Sequence, residues 1–217
     1  MPKVIAIDGP AASGKGTLAK RLAQSLGYDH LDTGLLYRAV AKKILDAGSD
    51  PADPQAAAVA ARSLSRSDTL ADGLRGEAMG RAASICSCIP EVRAALLDFQ
   101  VQFALSPPSG KGAVLDGRDI GTMVCPSADL KIWMSASAEA RASRRHAEDP
   151  KQSYEAVLAA IQERDARERE RAASPMVPAK DAKQMDTTEM SADEAFSLAM
   201  KWALGIDTKS KPCLLKP

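Results

Sequence analysis

Near its start the chain carries a short unbroken apolar run, KVIAID at 3–8, with the length of one buried strand. A loop of Gly, Ala and Ser follows. Leucines then recur every fourth residue, at Leu18, Leu22 and Leu26, and Gly27 stands where a helix would stop. The spacing therefore predicts a helix over 15–26. YDHLDT (28–33) predicts a second short strand, and GLLYRAVAKKILDAG (34–48) a helix ended by Gly48 and the Pro51/Pro54 pair. From Pro51 to Val92 the pattern stays helical but less periodic, with a polar break at SRSDTLADG (65–73). AVLDG (113–117) and LKIWMSA (130–136) predict strands bounded by turn residues. Helices are expected over 137–149 and 153–172, separated by Asp149–Pro150. A last strand, KQMDTT, precedes a helix over SADEAFSLAMKWALGI, and the tail 207–217 is expected to be disordered.

Strands alternating with helices predict an α/β fold whose parallel sheet is covered on both faces. The long middle portion reads as an insertion between the second and third strands, and no internal repeat is present. A length of 217 residues suits one sizeable core with small insertions. Aromatic residues make up only 4% of the chain, so that core must be aliphatic and rich in alanine. The net charge of +1 gives no general field for nucleic acid or membrane, which leaves anion binding to local clusters. The first apolar run is too short for a secretory signal, and no run reaches the length of a membrane span; a cytoplasmic protein is expected. Cys86, Cys88, Cys125 and Cys213 form no CxxC pair, and with only His30 and His146 beside them a zinc site is not expected. The chain has no asparagine, which excludes N-glycosylation, the Asn-Lys-x-Asp guanine reader of GTPases and the metal-binding Asn of a protein-kinase catalytic loop.

The candidate chemistry begins at IDGPAASGKGT (7–17), between the first strand and the first helix. That context makes it a phosphate loop. Gly9 and Gly14 let the backbone of Gly9, Pro10, Ala11, Ala12, Ser13, Gly14, Lys15, Gly16 and Thr17 curl its N–H groups around an anion. The helix start adds its positive dipole end, and Lys15 adds a cation for the β- and γ-phosphates of ATP. The usual loop places a hydroxyl directly after the lysine to coordinate Mg²⁺. Gly16 cannot do so, which leaves the ion to waters, phosphates and a carboxylate, while Thr17 points toward the α-phosphate. The Gly-Lys-Gly-Thr ending resembles that of nucleoside-monophosphate kinases.

Further segments sharpen this: LDTGLLYR (31–38), PEVRAAL (90–96), LDGRDIGT (115–122), ARASRR (140–145) and ERDARERERAASPMVPA (163–179). In this order, and spread over nearly the whole chain, they resemble the bacterial cytidylate kinase family. The resemblance implies a P-loop parallel five-stranded sheet flanked by helices, in one kinase domain over 1–206. Its core would span about 1–48, 110–140 and 180–206, with a short helical monophosphate-binding insertion at about 49–109 and an arginine-rich lid at about 141–179. It implies transfer of the γ-phosphate of ATP, with Mg²⁺, to CMP or dCMP by a monomer that binds neither nucleic acid nor membrane. Thr33, Tyr37 and Arg38 would bind the acceptor, with Thr33 sharing a face with Tyr37 if it caps the helix, and Arg38 gripping a phosphate. Ser84 and Arg93 match cytosine-contacting positions.

DGRDIGT follows a strand, where open α/β sheets bind ligands. Asp116 is expected to hold Mg²⁺ through water and Arg118 to reach the acceptor phosphate. Asp119 is expected to read the base, because a carboxylate accepts from the cytosine N4 amino group but faces another acceptor in uracil. In the arginine-rich region the resemblance assigns Arg141 to stacking on adenine, Arg145 to a phosphate, and Arg164 and Arg171 to closure on the phosphates. A spacing of seven would put the last two on one helical face. Taken alone these segments read as solvated helices with Glu–Arg pairs, and Arg144, Arg167 and Arg169 are expected to be solvent or pair residues. Glu168 stands where an aspartate contacting the acceptor sugar is expected. Two other readings stay open: a P-loop kinase for UMP or a non-nucleotide acceptor, and a nucleotide-binding switch without efficient turnover.

Overall fold

The computed structural model describes residues 2–205 except Arg66 and Lys151; the tail at 207–217, expected to be disordered, lies outside the described residues. Five strands form the sheet: β1 (Lys3–Asp8), β2 (Asp29–Asp32), β3 (Gly112–Gly117), β4 (Leu130–Ser135) and β5 (Lys183–Asp186). Their order is β2-β3-β1-β4-β5 and every pairing is parallel. The expected five-stranded parallel sheet is therefore present. β1 is central because it can be apolar on both faces. Ile5 and Ile7 pack with Leu22 of helix α1 (Lys15–Leu26) and Ala199 of helix α8 (Ala192–Leu204), while Ala6 faces Leu115, Ile120 and Ala104 on the other side.

Between β2 and β3 run α2 (Thr33–Asp46), α3 (Pro54–Arg62), α4 (Glu77–Cys86) and α5 (Pro90–Leu105), with a 3-10 turn at Ser67–Leu70. They close over their own cluster of Leu36, Val40, Ile44, Val92 and Leu96, completed by alanines. So many alanines explain the weak periodicity there: a helix face of small residues is buried without standing out in hydropathy. Helices α6 (Ala138–Glu148) and α7 (Tyr154–Arg169) share a smaller cluster of Ala142, Val157 and Ile161. No helix among the described residues is long and apolar enough to cross a membrane.

Two details depart from expectation. The cap of α2 is Asp32, whose side chain accepts from the Leu35 N–H, and not Thr33. Thr33 is already in the first turn and turns its hydroxyl to the Asp116 carbonyl 2.8 Å away, because β2 and β3 end side by side with Asp32 opposite Asp116. Helix α7 stops at Arg169, so Arg171 lies beyond it and shares no helical face with Arg164. The chain turns back there, through Ser174 at φ 54 and a bond from Met176 N–H to the Glu168 carbonyl.

The loop after β1 passes close to β4. A Cβ on Gly9, which has φ 153, would lie 2.1 Å from the Met134 carbonyl oxygen. Gly9→Ala should therefore push the loop off the sheet and cost about 2–4 kcal/mol, read as a lowered thermal midpoint.

Candidate active site

The carboxyl ends of β1, β2 and β3 open into a cleft of about 1540 Å³, lined also by α4, α6, α7 and the start of α8. This is where a parallel sheet binds ligands, and the volume exceeds the few hundred to about 1,000 Å³ of a single small-molecule pocket. Its floor is the loop 9–17. Ala12 (φ 58) and Gly14 (φ 87) take left-handed conformations that curl the backbone before α1 begins. Ala11 to Thr17 line the cleft, whereas Gly9 and Pro10 lie behind its surface. The Lys15 ammonium folds back on its own loop and donates to the Pro10 carbonyl at 3.0 Å. Burial, and then the Arg118 charge, lower its pKa to about 7. The Ser13 hydroxyl is buried with no hydrogen-bond partner.

Strand β3 ends in Asp116 and Gly117, followed by Arg118 and Asp119. Asp116 takes His30 Nε2 at 2.8 Å on Oδ1. Its Oδ2 faces Gly16, where an added Cβ would be 3.7 Å away. Arg118 donates from Nε to Glu168 Oε2 at 2.6 Å, and Arg164 from Nε to Glu168 Oε1 at 2.8 Å. Burial alone would raise the Glu168 pKa, but these two guanidiniums hold it well below the usual carboxylate range. Arg38 donates to the Leu74 and Gly76 carbonyls, and burial lowers its pKa to about 10, helped by Arg164.

A second group of side chains gathers where α2, α4 and α5 meet the end of β3. Arg93 is ion-paired with Asp119, and its guanidinium lies 5.6 Å from the Tyr37 ring centroid. Ser84 is buried, lines the cleft, and accepts from Arg167 at 3.3 Å. Arg171 enters beside them with only 8% exposure. Its Nη1 reaches the Ser87 hydroxyl at 3.4 Å, but Nε and Nη2 are buried without a hydrogen-bond partner. A buried guanidinium left half-paired costs free energy unless an anion or acceptor meets it.

The cytidylate kinase family profile matches residues 5–203. The chain belongs to this family. The cytidylate kinase of Paramagnetospirillum magneticum is 56% identical over 92% of this chain and 97% of its own length. That of Methylocella silvestris is 55% identical over 91% and 92%. A gluconokinase from Sinorhizobium meliloti, 13% identical with a TM-score of 0.50 over 94% of both chains, shares the P-loop kinase fold alone. Like the family, this protein is an ATP-dependent kinase of nucleoside monophosphates.

Most of the residues expected at the site line this one cleft: Lys15, Thr33, Tyr37, Arg38, Ser84, Arg93, Asp116, Arg118, Asp119, Arg145, Arg164, Glu168 and Arg171. Arg145 also pairs with Glu77 at 3.5 Å and Glu148 at 3.1 Å, linking the arginine-rich helix to α4. Arg141 is the residue expected against adenine. It is 3% exposed, paired with Asp165 of α7 at 2.7 Å, and bonded to the Ala136 and Ala11 carbonyls. Its guanidinium thus ties α7 to the phosphate loop. Glu168, expected at the acceptor sugar, has each oxygen held by an arginine instead. Arg144 lines the cleft as a pair residue bonded to the Thr187 and Thr188 carbonyls.

Sequence reasoning missed His30, Asp32 and Ser87. Asp32 carried a local signal, an Asp before a helix, which went to Thr33 instead. His30 and Ser87 carried none, because their partners are far along the chain.

Proposed function

We propose that this cleft aligns the two nucleotides of the family reaction, in which the γ-phosphate of ATP passes to CMP or dCMP, giving ADP and CDP or dCDP. The loop 9–17 cradles the ATP phosphates, with Lys15 on the β- and γ-phosphates. Arg38 and Arg118 hold the acceptor phosphate, and Thr33, Tyr37, Ser84, Arg93 and Asp119 seat the sugar and cytosine. Glu168 borders that subsite as the brace for Arg118 and Arg164. Arg145, Arg164 and Arg171 neutralise charge as it spreads over the transferring group. An acceptor phosphate oxygen attacks the γ-phosphorus, and the bond to the bridging oxygen breaks toward ADP. The nucleophile is already anionic, so no strong general base is required and alignment carries the rate.

The donor set fits magnesium. Asp116 supplies a hard oxygen beside Gly16, and no three His, Cys, Asp or Glu among the described residues form a closed cage. A magnesium ion that keeps its waters and binds phosphate oxygens suits such a site. When bound, it would offset phosphate charge. Residues 49–109 act as the acceptor-binding insertion and 141–179 as a lid whose closure excludes water, on one domain over 1–206. For Arg141 to reach adenine, its pair with Asp165 has to open as the lid closes. The working unit is a cytoplasmic monomer.

The observation that carries this reading is that the phosphate loop and Arg38, Arg118, Arg164 and Arg171 all line one cleft. Coupled measurement of ADP release across CMP, dCMP, UMP and AMP tests it. CMP and dCMP should exceed UMP and AMP in kcat/KM by at least about 10²-fold, and by up to about 10⁴-fold where the wrong base leaves buried polar groups unpaired. Equal rates for all four would reject the assignment of Asp119 and Arg93 to the base.

A further inference from the structure

His30 has no part in the chemistry above, yet it lines the cleft. It sits on β2, opposite Val114, with Asp32 two residues on and opposite Asp116. Its side chain is 23% exposed, that of Asp116 only 5%, and 2.8 Å separates His30 Nε2 from Asp116 Oδ1. An ionised carboxylate can only accept, so the imidazole donates from Nε2–H. The Lys15 ammonium is hydrogen-bonded to the Pro10 carbonyl and acts on Asp116 through its charge. With Oδ1 held by His30, Oδ2 is the oxygen left facing Gly16 at the start of α1. Glycine there offers the metal no hydroxyl, so the direction of this one carboxylate matters more than in a loop with serine or threonine.

We propose that His30 is a positioning residue, which by holding Oδ1 of Asp116 keeps Oδ2 turned toward the water ligands of the magnesium ion. The proposal rests on the reading of Asp116 as the metal carboxylate. A freely turning carboxylate would have to be ordered each time the ion binds; His30 has done this in advance. Partners of this kind behind a metal ligand alter metal affinity by about 10- to 100-fold when removed.

The test is ATP binding to the full chain by calorimetry, without acceptor, in EDTA and again across a magnesium titration. The ratio of the two affinities is the magnesium-dependent gain. His30→Phe, which keeps a ring but no donor, and His30→Ala should each cut that gain by about tenfold. Affinity in EDTA should stay unchanged. His30→Gln, whose amide N–H donates in the same direction, should restore most of the gain. Asp116→Asn is the reference. If the wild-type chain shows no gain, or Asp116→Asn leaves it intact, the metal reading of Asp116 fails and takes this proposal with it. If Asp116→Asn abolishes the gain while both His30 removals keep it, the proposal alone is overturned. A lower melting temperature with the wild-type gain also overturns it, since that is the mark of a merely structural pair.

Discussion

Lys15→Ala should lower kcat by about 10³-fold while leaving the fold intact, the scale expected when a cation on the transferring phosphoryl group is removed. The ammonium is buried, and burial together with Arg118 lowers its pKa to about 7. Phosphates of ATP favour the charged form, so they raise that pKa on binding. Above pH 7 the complex then holds more protons than the free enzyme. Linkage gives the sign: ATP binding takes up a proton, and affinity falls as pH rises through this window. Calorimetry at pH 8 in buffers of different ionisation heat should show the uptake in the wild-type chain and its loss in Lys15→Ala. Wild-type turnover in the variant, or an unchanged proton count, would remove Lys15 from its proposed role.

Arg171→Met should separate stability from activity. In the ligand-free protein the guanidinium is buried, its pKa is lowered by burial and then by Arg93, and two of its nitrogens have no hydrogen-bond partner. Replacing such a charge with an apolar side chain of similar length should leave the thermal midpoint unchanged or raise it. The same change should cost about 10²- to 10³-fold in kcat, because the group meets its partner only when the nucleotides are bound. CMP should also raise the midpoint of the wild-type chain more than that of the variant. A variant both less stable and fully active would make Arg171 a structural residue.

The arrangement around Glu168 shows how the site balances its charge. Arg118 comes from the end of β3 and Arg164 from α7, and one buried carboxylate holds both. The glutamate is long enough to reach two guanidiniums at once, which gives it a positioning part that the expectation of a sugar contact did not include. Arg141 and Asp165 repeat the device between α6 and α7. Acidic residues thus offset the mutual repulsion of the clustered arginines.

The amino-acid sequence by itself determined the bounds of β1 and α1, the phosphate loop and the strand-end run from Asp116 to Asp119. All of these are local: an unbroken apolar run, a period of four, a glycine at a turn, or a lysine a few residues away is set by the geometry of neighbouring peptides. Only the tertiary structure decided that Asp32 rather than Thr33 caps α2, that Arg171 leaves its helix, that Arg141 pairs with Asp165, and that His30 meets Asp116. Each of these depends on strand register or helix packing between segments distant in the chain, and neither hydropathy nor spacing records which side chains such packing brings within hydrogen-bonding distance.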